Sequence, residues 1–104
     1  MADPMRIRAN VDAQGVTEVK VLMSHEMETG QRKDSSGKLI PAHFIQEVTA
    51  THKGKSVLVA QWGPAVSKNP FMSFKFKGGA KGDKVAVTWV DNKGEKRTDE
   101  ATIA

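Results

Sequence analysis

The sequence predicts an all-β domain: an immunoglobulin-like antiparallel β-sandwich of about seven strands, with no disulfide. Three observations carry this expectation. Apolar residues recur at every second position in several runs. Turn-forming clusters with Gly, Asn and Asp separate the runs at short intervals. No run of helical spacing is long enough to make a stable helix.

Taken in order, "VTEVKVLM" at Val16–Met23 places Val19, Val21 and Met23 on one face, with Glu18 and Lys20 on the other. "HFIQEVTATH" at His43–His52 is rich in β-branched residues and groups Phe44, Val48 and Ala50. "SVLVAQW" at Ser56–Trp62 is apolar on both faces, Val57 and Val59 on one and Leu58, Ala60 and Trp62 on the other. "FMSFKFK" at Phe71–Lys77 turns Met72, Phe74 and Phe76 inward and Lys75 and Lys77 outward. "VAVTWV" at Val85–Val90 groups Val85, Val87 and Trp89. The segments "DSSGK", "HKGK", "KGGAKGDK" and "DNKGEK" have hairpin chemistry, with Gly supplying positive φ.

The chain has 104 residues, read as a single domain over 1–104. That length suffices for one core without metal or disulfide staples. There is no cysteine, which excludes disulfides, thiolate metal sites and thiol nucleophiles. The net charge of +4 is mild and both signs are mixed along the chain. With no nucleic-acid-binding motif and no tyrosine, nucleic acid is not expected as a partner. No stretch approaches the length of a membrane span, so no membrane partner is expected. "MADPMRIRAN" lacks the apolar run of a signal peptide, and alone suggests the cytosol.

No nucleophile motif or phosphate-binding loop is present, so no catalytic residue and no cofactor are expected. Glu26 with Glu28, and Asp99 with Glu100, read as solvated charges. Met23, His25 and Met27 fall at i, i+2, i+4 and would share a face if the strand continued. Thioether and imidazole together suit Cu(I), so a small copper-binding sandwich is the alternative function. The competing reading is that the methionines fill core gaps. His43 and His52 show no ligand spacing, and no metal site is expected from them.

A strand with one wet face does not need apolar residues on both sides. "QWGPAVSKNPF" at Gln61–Phe71 then continues the apolar surface into a loop stiffened by Pro64 and Pro70. Asn69, preceding Pro70, is expected to be extended. Val57, Leu58, Val59, Trp62, Pro64, Val66, Pro70 and Phe71 are therefore candidates for a partner interface. Lys68, Lys75, Lys77, Lys81 and Lys84 fall within one loop, one strand and the next turn. They are expected at one sheet edge, either protecting it from pairing or steering acidic partners.

"HEMETGQRKD", "IPAHFIQEVTATHKGK", "QWGPAVSKNPF" and "GDKVAVTWVDNKGEKRTDEATI" closely resemble the SoxZ family of the bacterial sulfur-oxidation, or thiosulfate-oxidising, system. The resemblance runs from "MRIRAN" to the end. It implies an immunoglobulin-like β-sandwich and a non-catalytic role. It implies a heterodimer with SoxY, whose cysteine arm carries covalent sulfur intermediates, and transient contacts with other Sox enzymes. It also implies a periplasmic location, reached by export with a signal-bearing partner. A scaffold without thiols would be inert towards cargo that undergoes thiol exchange.

Overall fold

The computed structural model describes residues 3–104. The expected fold class is found: seven strands in two antiparallel sheets, with no helix among the described residues. The strands are β1 (Arg6–Val11), β2 (Val16–Leu22), β3 (Ile45–His52), β4 (Lys55–Gln61), β5 (Phe71–Lys77), β6 (Lys84–Asp91) and β7 (Lys96–Thr102). One sheet has the order β1-β2-β5 and the other β4-β3-β6-β7.

The inward rows follow the period-two pattern. Val19 and Val21 from β2 face Val48 and Ala50 from β3 and Val85, Val87 and Trp89 from β6, all essentially inaccessible. Together with Ile45, Met23 and Ile103 they form one contiguous core. One row differs from expectation. A register shift between Ile45 and Glu47 makes Gln46 the extra residue opposite β6. It therefore puts Ile45, not Phe44, on the buried row, and leaves Phe44 half-buried. The alternating pattern alone carries no sign of a bulge.

One side of the sandwich is closed. Ala9 of β1 bridges to Ile103, and Ala104 is held through its amide by Ala9 O at 2.9 Å. On the opposite side β4 and β5 are edge strands, each paired to one neighbour only. Their core-facing residues Leu58, Ala60, Met72, Phe74 and Phe76 stay half-buried, unlike the sealed rows of β2, β3 and β6. The sandwich is open along this side.

The β5–β6 connection is anchored by close packing at Gly79. A Cβ built there would lie 2.0 Å from Thr17 Oγ1 and 3.0 Å from the Ile103 side chain. Thr17 and Ile103 are themselves buried, so neither can move freely aside. Gly79→Ala is expected to destabilise the domain by about 1–3 kcal/mol through overpacking. Urea unfolding with an unchanged midpoint would show instead that this turn yields at no cost.

Candidate functional site

Sequence spacing separates three groups that the fold joins at one end of the sandwich. β6 ends at Asp91, which has no exposed side-chain surface. Its Oδ1 accepts the Lys93 and Glu95 amides at 3.0 and 2.8 Å, closing the β6–β7 turn. Its Oδ2 lies 3.0 Å from His25 Nε2 and 2.7 Å from His43 Nε2. The two rings meet edge-on, and His25 also stands edge-on to Trp89 at 5.0 Å between centroids. Burial opposes ionisation of Asp91, but hydrogen bonds from His25, the Glu95 amide, His43 and the Lys93 amide outweigh it. The carboxyl is held below its usual range.

The chain reaches this point along irregular backbone. β2 stops at Leu22, and Met23 N donates to Pro70 O at 2.9 Å. His25 N then donates to Asn69 Oδ1 at 3.1 Å, and Asn69 N returns to His25 O at 2.9 Å. Asn69 is not extended but left-handed, with φ 52°. Asn tolerates that region, and the bonds with His25 outweigh the bias before proline. Pro70 is buried here, so it is part of the clasp and not of an outer surface.

His25, His43 and Asp91 bring one ligand atom each within 4.8 Å of one another, a spacing that a metal ion could bridge. The proton positions argue for a hydrogen-bonded hub instead. His25 Nδ1 accepts from Met27 N at 3.1 Å. The neutral ring therefore carries its proton on Nε2 and donates it to Asp91. Binding a metal through Nε2 would move that proton to Nδ1, against the Met27 N–H. The expected Met23, His25 and Met27 face does not form. Met23 is fully buried in the core, and Met27 has φ 51°. The Met27 sulfur accepts the Ile45 amide at 3.4 Å. The strand ends before the alternation could align the three.

A cavity of about 510 Å³ opens beside the hub, lined among others by His25, Glu26, His43, Lys68, Asn69 and Glu95. Nearby, the guanidinium of Arg32 binds both Glu28 oxygens and holds that carboxyl below its ordinary range. At the far end His52 Nε2 lies 2.8 Å from Asp83 Oδ2, and this bond lowers the Asp83 pKa. None of these partners was visible in sequence, where Asp91 and Asp83 read only as turn residues.

The partner-interface candidates divide among different surfaces. Val59 points outward from β4 and is 59% exposed. Leu58 and Ala60 stand opposite Ala50 and Val48 and face the open side. Val57, at the register shift beside Thr51, packs half-buried on the core, as do Trp62 and Val66. Pro64 is exposed in the loop. Phe71 lies on the outer face of the other sheet, beside Leu22. The five lysines do not share one edge. Lys68 lines the cavity at the hub end, and Lys75 and Lys77 point outward from β5. Lys81 is in the turn, and Lys84 begins β6 in the second sheet.

Comparison with solved structures shows the same fold in superoxide reductases. A mutant superoxide reductase (neelaredoxin) from Archaeoglobus fulgidus, in the reduced form, superposes with a TM-score of 0.58 at 21% identity. The match covers 100% of this chain and 91% of that one. The superoxide reductase (neelaredoxin) from Ignicoccus hospitalis gives 0.56 at 15% identity, covering 99% and 82%. At such identities the likeness shows the fold alone. Among curated proteins none matches the chain. The family described as sulphur oxidation protein SoxZ matches residues 5–102, nearly the whole chain, and the protein belongs to the SoxZ family.

Proposed function

We propose that the protein is the non-catalytic subunit of a heterodimeric sulfur carrier, pairing with a SoxY-like subunit whose cysteine arm holds the sulfur intermediates. The family match over residues 5–102 carries this reading. Two features of the chain support it. It has no cysteine, so any covalent sulfur must be carried by another polypeptide. Its sandwich is open along β4 and β5, where apolar side chains stay half-exposed beside unpaired strand edges. A partner seated there would complete the burial and cover the edges. The carrier works in the periplasm, and this subunit is exported with a partner that bears the signal.

The His25–Asp91–His43 hub has a structural part in this reading. It ties the Met23–Met27 segment, residue 43 and the β6–β7 turn together beside the loop that leads into β5. Co-expression with a SoxY-like subunit should yield a stable one-to-one complex. The purified chain alone should not turn over thiosulfate. A chain that stays monomeric beside SoxY, or that oxidises thiosulfate unaided, would overturn the proposal.

A further inference from the structure

The outer face of the β1-β2-β5 sheet carries a charge pattern that the sequence hides. Strand register stacks Arg6, Leu22 and Phe71 in one row across the sheet. The next rows are Arg8, Lys20 and Ser73, then Asn10, Glu18 and Lys75, then Val16 and Lys77. Arg6, Arg8, Lys20, Lys75 and Lys77 are all exposed. Five cations therefore share this face with two carboxylates: Glu18, which reaches Lys20 at 3.8 Å, and Asp12, which lies beside Lys75. Asp12 stands at the turn end of the face, its Oδ1 accepting the Gln14 and Val16 amides. Neighbouring strands lie about 4.8 Å apart, and outward side chains along a strand about 6.8 Å apart. The cations thus form a two-dimensional field roughly 10 by 20 Å.

Two features distinguish this face from a merely soluble one. Arg8 and Lys20 stand directly opposite each other across the β1–β2 ladder. Like charges in that position work against the sheet. Beside them Leu22 and Phe71, paired across strands, are 42% and 63% exposed. A solubilising face has no need of this apolar pair at its end.

We propose that this face docks an acidic protein surface that presents an apolar side chain to Leu22 and Phe71. Carboxylates on the partner would relieve the Arg8–Lys20 repulsion, and the apolar contact would fix the register. A nucleic acid offers phosphates, but the single exposed ring on this face, Phe71, gives successive bases no stacking platform. A SoxY-like partner on the open side would cover the edges of β4 and β5, whereas this is the outer face of the β1-β2-β5 sheet, so its β1 and β2 part lies away from that edge.

The test uses the full chain, ¹⁵N-labelled, and three probes. These are a glutamate-rich peptide with a central Phe-Leu pair, a single-stranded oligonucleotide and phosphatidylglycerol vesicles. The peptide should shift amides of β1, β2 and β5, and the shifts should vanish at high salt. Reversing Arg8 and Lys20 to Glu should weaken the peptide on the order of tenfold at low salt. Replacing Leu22 and Phe71 by Ser should weaken it while leaving binding of plain polyglutamate unchanged. Tighter binding of the oligonucleotide or the vesicles at this face would overturn the proposal. So would peptide shifts confined to β4, or no shifts at all.

Discussion

Asp91→Ala is expected to cost about 3–5 kcal/mol of folding stability, well above an ordinary substitution. The side chain is fully buried and accepts four hydrogen bonds, two from histidine rings and two from turn amides. Removing it leaves the buried His25 Nε2–H without a partner, opens the β6–β7 turn by freeing two amides, and leaves a void where a fully buried side chain stood. Asp91→Asn should be nearly as damaging. Its amide NH₂ must face either the Lys93 and Glu95 amides or the two imidazole rings, and the turn amides and the His25 Nε2–H are all donors, so either orientation sets donor against donor. The pH dependence has a definite sign. The folded pKa of Asp91 is depressed below the unfolded value of about 3.9. Its contribution is therefore complete above that value and is lost as pH falls through the folded pKa. The gap between wild type and Asp91→Ala, measured by urea unfolding, should narrow as pH falls below about 4. A gap that stays level down to pH 2, or a cost under 1 kcal/mol, would show that the hub holds nothing together.

That hub also marks the boundary of what the sequence discloses. Strands β2, β5 and β6 could be read directly, because their alternation is local and each inward residue sits two positions from the next. The same logic made β4 stand out, and the fold explains it: an edge strand on an open side has no sealed face. What alternation cannot show is which distant segments meet. His25 and Asp91 are 66 positions apart and His43 and Asp91 are 48 apart, so no spacing rule joins them. Asp91 did announce half its role, since Asp at the head of a D-N-K-G turn caps its own amides; its second oxygen was beyond reach of that rule. The expected alignment of Met23, His25 and Met27 did not form for a related reason. That expectation extended a period of two past Leu22, where the backbone had already left the strand. The cationic face was missed because lysines were grouped by nearness in sequence. Register instead groups Lys75 with Glu18, and Lys20 with Arg8.

The largest effect on function is expected at Val59. It stands at the centre of edge strand β4, opposite Thr49, and its outward side chain is 59% exposed. A charge there meets solvent in the free chain, so Val59→Asp should leave stability within about 0.5 kcal/mol of wild type. In the complex with a SoxY-like subunit the same carboxylate would be buried without a counter-ion. Desolvating it would cost several kcal/mol. A loss of about 3 kcal/mol corresponds to more than a hundredfold in affinity, mostly through faster dissociation. Titration calorimetry against the SoxY-like subunit, with unfolding curves as the control for folding, would measure both quantities. Leu58→Asp is the weaker probe, since Leu58 packs half-buried against the core and its loss would unsettle the fold as well. If Val59→Asp binds SoxY with unaltered affinity, the partner does not sit on β4. The open side would then have to be covered by something else.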